Sequence, residues 1–240
     1  MVARAKKRRV AAIADLHVKD GAAQSLRPLF SEISGEADLL VIAGDLTDLG
    51  KPEQATALAA DLGACSIPVV AVLGNHDHEC GAPEKVADIL KGAGVYMLDG
   101  QSVVVDGIGV AGAKGFAGGF GRHMLGSFGE QAIKAMVAEG VAEAMKLENA
   151  VRQLPRERSL VILHYSPIPE TLEGEPLEIY PFLGSSRLAE TIDRFAVSLV
   201  VHGHAHGGVF AGRTPGGTPV YNVATHVEKP NGKPYAIFEI

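Results

Sequence analysis

Short apolar runs recur along the chain and alternate with longer segments of helical period, the pattern of βαβ units around a largely buried sheet. Arg9–Ala14, Asp38–Ala43 and Ile67–Leu73 read as the first three strands. Pro68 stands near the start of the third, where a missing N–H donor does least harm. Ala22–Ser34, Pro52–Leu62 and Pro83–Lys91 carry helical spacing, with Pro52 at a first-turn position and Gly92 and Gly94 closing the last. Beyond Tyr96 the pattern changes. Ser102–Val105 and Ile108–Ala113 flank Asp106-Gly107, a dipeptide that favours a tight hairpin turn. Gly115–Gly129 is rich in glycine, lacks a clear period and reads as a loop. Gln131–Leu154 is the longest predicted helix, because Ile133, Val137, Val141, Ala144, Leu147, Val151 and Leu154 recur every three or four residues. Gly140 weakens it slightly. Leu160–Leu163 and Val197–Val201 are further buried-strand runs. The tail from Gly207 alternates strands with turns at Gly216-Gly217 and Asn231-Gly232 and ends in Tyr235–Ile240. With no repeat and no low-complexity linker, the expectation is one α/β domain over residues 1–240 with a β-rich second half.

Composition adds bounds rather than detail. Apolar residues make up 47% of the 240 and charged ones 21%, enough for a substantial core. The 22 basic and 28 acidic residues sum to −6, which argues against a polyanionic partner such as nucleic acid. No run approaches about 18 apolar residues, so no membrane span is expected. Arg4, Lys6, Lys7, Arg8 and Arg9 look like the basic start of a signal peptide. The apolar run behind them lasts only from Val10 to Ala14, so the expectation is a solvated tail on a cytoplasmic protein. Two cysteines, Cys65 and Cys80, make no disulfide framework.

The histidines change the picture. Five segments sit immediately after predicted strands: Asp15-Leu16-His17, Gly44-Asp45, Gly74-Asn75-His76-Asp77, His164, and His202-Gly203-His204-Ala205-His206. In open α/β sheets, sites form beyond the carboxyl ends of the strands. Taken singly, each has a bland alternative. Asp45 would serve as a helix cap, His204 and His206 as a polar strand end, and Asp15 and His17 as an ordinary loop start. Taken together, five strand ends that each offer an oxygen or imidazole donor point to divalent metal. Asp15, His17, Asp45, Asn75, His164, His204 and His206 are more donors than one ion uses. They suit two ions about 3.5–4 Å apart, the arrangement used for in-line displacement at phosphorus.

The ordered set D-x-H, G-D, G-N-H-D, H and G-H-x-H, spread from Asp15 to His206, resembles the calcineurin-like metallophosphoesterase family. The resemblance implies a four-layer αββα sandwich of two mixed sheets flanked by helices. It implies one metal on Asp15, His17, Asp45 and His206 and a second on Asp45, Asn75, His164 and His204, with Asp45 shared. Mn is the first expectation, with Fe, Zn or Mg as alternatives. The implied reaction is hydrolysis of a small phosphodiester or phosphomonoester by direct attack of a metal-bound hydroxide. His76 would be the general acid or electrostatic stabiliser on the leaving-group side, and Asp48 the carboxylate that orients it. Asp48 has an equal claim as cap of the Pro52 helix. A nucleotide pyrophosphohydrolase and a non-catalytic scaffold are the competing functions.

Departures narrow the resemblance. In Gly44–Gly50, Leu49 stands where Ser/Thr phosphoprotein phosphatases carry a phosphate-binding arginine, and leucine offers no donors. Gly-Asn-His-Asp also differs from the Gly-Asn-Arg-Asp of the lipid A pathway pyrophosphohydrolases. The broad bacterial branches remain, cyclic-nucleotide phosphodiesterase-like proteins among them. Two segments are candidates for substrate choice. Lys114–Gly129, with Arg122 and His123, is either a phosphate- or base-contacting loop or a mobile surface connection. Glu170, Glu173, Glu175 and Glu178 would repel a long polyanion, which favours a small ester. His78 and His226 are expected to be solvated or to support the ligands, His202 to support the turn of His204, and Cys80 to be a near-surface thiol.

Overall fold

Strand residues whose neighbours are also apolar must be buried on both faces, and the chain achieves this with two packed sheets. The computed structural model describes residues 7–22, 24–155 and 157–240. In chain order the elements are β1 (Arg9–Ile13), α1 (Arg27–Glu36), β2 (Leu39–Ala43), α2 (Pro52–Leu62), β3 (Val69–Val72), α3 (Pro83–Gly92), β4 (Tyr96–Met97), β5 (Gln101–Val105) and β6 (Ile108–Gly112). They continue with α4 (Gln131–Val151), β7 (Ser159–Ile162), α5 (Tyr180–Leu183), α6 (Ser186–Ile192), β8 (Leu199–His202), β9 (Ala211–Arg213), β10 (Pro219–Asn222) and β11 (Ala236–Glu239). One sheet runs β11-β1-β2-β3-β4 and the other β5-β6-β7-β8-β10-β9. The expected αββα sandwich of mixed sheets is the observed fold.

Period two decides which side chain goes where. Val10 and Ala12 of β1, Leu39 and Val41 of β2, and Leu160 and Ile162 of β7 meet in the layer between the sheets. Their alternates, Ala11, Ile13, Leu40 and Ile42, pack on Phe30 and Ile33 of α1, Leu58 of α2 and Leu90 of α3. On the other outer face, Val161 and Val200 meet Leu147 of α4 and Leu188 and Ile192 of α6. Because β1, β2 and β3 are parallel, as are β6, β7 and β8, their carboxyl ends open on the same side of each sheet.

Several boundaries moved for physical reasons. The first helix begins at Arg27 rather than Ala22, because Pro28 has no N–H to bond one turn back and is tolerated only in a helix's first turn. Ala23 of the expected helix, together with Arg4 and Lys6 of the basic start, lies outside the described residues. The Asp106-Gly107 turn has φ of 50° and 82°, the double positive φ that the hairpin requires. α5 and α6 fall where no helix is expected from the pattern. α6 presents only two turns of apolar spacing, and the Ser185 hydroxyl caps it by accepting the Arg187 amide. The 114–129 segment is not simply a surface connection. Its first half is largely buried, with the Gly118 and Gly119 amides donating to the carbonyls of Pro181 and Gly184 at 2.8 and 2.9 Å.

Candidate metal centre

Asp15, Asp45, His164 and His204 each stand two residues past the end of a strand, but strand alternation does not aim them. Asp15, His17, Asp45 and His204 have positive φ of 59°, 43°, 48° and 69°. Left-handed backbone at four non-glycine positions is costly and clusters where function requires it. These turns fold the side chains inward from both sheets. Two motif glycines make the approach possible: a Cβ at Gly74 would collide with the Asp45 carboxylate, and one at Gly203 with that of Asp15.

All seven expected metal donors come together. His206 Nε2 lies 3.1 Å from Asp15 Oδ1 and 3.4 Å from His17 Nε2. His17 Nε2 is 3.7 Å from Asp45 Oδ2, and His164 Nε2 is 3.4 Å from Asp45 Oδ1. Ligand atoms of Asp15, His17 and His206 lie within 4.8 Å of one another, as do those of His17, Asp45 and His76, and of Asp45, His164 and His204. Asp45 is thus common to two clusters. Donors about 2.0–2.2 Å from one dication stand roughly 3.0–3.5 Å apart, so the spacing fits divalent ions.

Electrostatics supports the same fit. Burial lowers His17 and His164 to about 4 and, with the charge of His164, His204 to about 3, so these rings are neutral at pH 7 and their lone pairs are free. The hydrogen bond to Asp15 raises His206. Burial pushes Asp15 up, but the His206 hydrogen bond and the charges of His164 and His206 hold it below the ordinary value. Burial and the nearby charge of Asp15 raise Asp45. Two acidic groups this close call for a cation. His164 says the same: its neutral ring has one N–H for two oxygens, Ala43 O at 3.1 Å and Asn75 Oδ1 at 2.7 Å. One contact therefore opposes lone pairs, and a cation on the Asn75 side relieves it. The buried Nδ1 of His17 has no hydrogen-bond partner among the described residues.

The surrounding groups differ from expectation in informative ways. Asp48 holds His76 with its backbone carbonyl, 2.7 Å from Nδ1, while its carboxylate lies 3.9 Å from His17 Nδ1. It caps no helix, since Lys51 is the N-cap of α2. His202 is buried and supports its turn, with Nδ1 2.8 Å from Gly203 O and Nε2 2.8 Å from the Thr171 hydroxyl. His226 stacks on His206 at 4.5 Å. Asp77 closes the Gly-Asn-His-Asp motif, and the sequence alone assigns it no role. It is fully buried and accepts from the amides of Leu46, Thr47 and Gly74 and from the Thr47 hydroxyl, clasping the β2 and β3 turns together. The sequence signal was an acid inside a tight turn, which is ambiguous by itself. Tyr165 was missed as well: its ring packs 5.4 Å from that of His164 and 4.5 Å from that of His204.

A two-sheet sandwich with carboxylates and imidazoles gathered at its strand ends defines a metal-binding α/β protein. The model of the calcineurin-like phosphoesterase family matches residues 8–208, and the chain belongs to that family. Its members are metal-dependent phosphoester hydrolases with a binuclear divalent centre. No curated protein matches the chain. Among solved structures, it resembles phosphopantetheinyl hydrolase from Mycobacterium tuberculosis, with TM-score 0.69 and 14% identity over 98% of this chain and 96% of that one. It also resembles the protein TT1561 of Thermus thermophilus, with TM-score 0.55 and 15% identity over 93% and 92% of the two chains. At such identities the likeness is one of fold. Among the described residues no helix is long and apolar enough to cross a membrane.

Proposed function

We propose that the protein hydrolyses small phosphodiesters or phosphomonoesters at a two-metal centre. The observation that carries this reading is the convergence of seven donors from both sheets, with Asp45 common to two clusters. Asp15, His17, Asp45 and His206 would hold one ion, and Asp45, Asn75, His164 and His204 the other. Divalent ions bound there supply Lewis acidity toward phosphoryl oxygens and a water of lowered pKa. Mn is the first candidate, with Fe, Zn and Mg as the alternatives that elemental analysis separates.

The protein's own groups divide the remaining work. Asp15 and Asp45 offset the charge of the cations, and the His204 amide donates to both oxygens of Asp15 at 3.0 and 3.1 Å, which fixes the carboxylate. His76, its Nδ1 held by the Asp48 carbonyl, places Nε2 4.0 Å from Asp45 Oδ2 with the side chain 39% exposed. A proton on that nitrogen passes to the departing ester oxygen, a transfer typically worth 10²–10⁴-fold. The Glu175 carboxylate accepts the Gly207 amide at 2.6 Å, one residue from His206, and its charge at the rim disfavours a long polyanion.

The test is metal removal and reconstitution, followed by a panel of bis-p-nitrophenyl phosphate, p-nitrophenyl phosphate, cyclic nucleotides and a phosphopantetheinyl ester. Two equivalents of metal and restored turnover of a small ester are expected. Turnover that survives chelation, or DNA and RNA cleaved in preference to every small ester, would overturn the proposal.

A further inference from the structure

A cavity of about 420 Å³ opens between α3 and α4, within the size range of small-molecule sites. Leu73, Leu98, Pro83 and Ala87 give it an apolar floor. Its lining is linked to the centre through two stretches of chain. Leu73 leads into the Gly74-Asn75 turn, and His78, which lines the cavity, shares the one-turn helix His76–His78 with the proposed proton donor. The second is at Lys114, whose carbonyl accepts the amides of His164 and Tyr165 at 3.0 and 3.1 Å.

Lys114 is only 9% exposed. Its ammonium donates to the Gly115 carbonyl at 3.1 Å and lies over the rings of Phe116 and Tyr165, 4.7 and 5.4 Å from their centroids. Among the described residues no carboxylate pairs with it. The other cavity lysines are engaged, Lys146 by Asp99 and Glu143 and Lys91 by Asp88. The lining nevertheless carries five carboxylates against three lysines, so a leaving group with its own phosphate or carboxylate is disfavoured.

We propose that this cavity receives the organic part of the leaving group, an uncharged alcohol. It would offer a carbonyl-type acceptor to Lys114 and an N–H or O–H donor to Glu139, with its apolar body on Leu73 and Leu98. The inference deepens the phosphoesterase proposal and rests on it for the position of the departing oxygen beside His76.

Two measurements test it. In the first, methyl 4-acetamidophenyl phosphate and methyl 4-carboxyphenyl phosphate are compared by kcat/KM. The wild type should favour the acetamido ester, and Lys114→Met should cut that preference about tenfold, as loss of a hydrogen bond to a charged donor predicts. Lys114→Gln covers the case in which the Met variant does not fold. A preference unchanged in the folded variant, or absent in the wild type, overturns the proposal. In the second, binding of the free alcohol 4-hydroxyacetanilide to metal-free protein is followed by NMR. Signals of α3 and α4 should shift in the wild type, and Ala87→Trp, which fills the cavity, should abolish the shift. Shifts that persist in that variant, or are absent from the wild type, overturn the proposal. If the wild type hydrolyses neither diester nor p-nitrophenyl phosphate, the phosphoesterase reading fails, while the binding measurement still decides the cavity.

Discussion

On the wall of the crevice built from β1, β2 and β3, the side chains are held by amides and a buried acid. Asp77 gathers four donors from the β2 and β3 turns, and the His76 amide donates to Asp45 Oδ1 at 2.9 Å. On the wall from β7 and β8, imidazoles are aligned by carbonyls from elsewhere. His164 Nδ1 lies 3.1 Å from Ala43 O of the opposite sheet, and His204 Nε2 lies 3.3 Å from Phe182 O of α5. The first wall carries its own scaffold around Asp45 and His76, while its Asp15 is held by the His204 amide of the second. The second depends on the sheets being docked and on a short helix at the rim. A carbonyl that takes one ring N–H leaves the other nitrogen as the donor, so these borrowed contacts set how each ring faces a cation.

The comparison can be broken most severely at Asp45, the first-wall residue common to two donor clusters. Asp45→Ala should lower ester turnover by more than about 10³-fold, since several kcal/mol of charge stabilisation depend on the metals. Elemental analysis should show that both equivalents are weakened, and full metal content would remove Asp45 from its shared position. His76→Ala tests the same wall without touching a proposed ligand. Its kcat should fall about 10²–10⁴-fold with metal content retained, and loss of one equivalent would make His76 a ligand instead.

Gly74→Ala sharpens the contrast further, because its added Cβ meets the Asp45 carboxylate. Metal affinity should fall by at least about tenfold, the scale at which supporting groups act. A titration with Mn²⁺ indistinguishable from wild type would show that the turn yields without displacing Asp45. On the other wall, Ser185→Ala removes the cap of α6, for about 1 kcal/mol of stability. The urea midpoint should drop, and the ion that depends on His204 should be the first lost on dilution.

The smallest effect concerns the connection between the sheets. Lys229 donates to the carbonyls of Ala224 and Val227 at 2.6 and 2.9 Å, bracing the turn whose Thr225 hydroxyl donates to the Asp15 carbonyl at 3.0 Å. Burial lowers this lysine from 10.5 to about 8. Between those two values the unfolded chain binds more protons, so unfolding free energy should rise with pH across that window. Lys229→Met should flatten the rise in urea melts from pH 7.5 to 10.5.

Much of this architecture is legible in local pattern. Pro52–Leu62 forms as the spacing predicts, and the hairpin at Asp106-Gly107 follows from two residues that accept positive φ. The seven donors are visible because each follows an apolar run, where parallel strands end. α6 was not legible, because its two turns of apolar spacing leave little periodicity to detect. The buried first half of the 114–129 segment was also hidden, since its partners, Pro181 and Gly184, lie more than sixty residues away.

The amino-acid sequence by itself determined which faces of the strands are buried and which donors exist, because hydropathy and residue type are local properties. Tertiary structure alone decided that Asp45 joins two clusters, that Asp48 acts through its carbonyl and that Asp77 is a clasp. It also left Lys114 lining a cavity with no ionic partner among the described residues. Those outcomes depend on left-handed turns and on contacts between distant segments, and neither exists until the two sheets pack together.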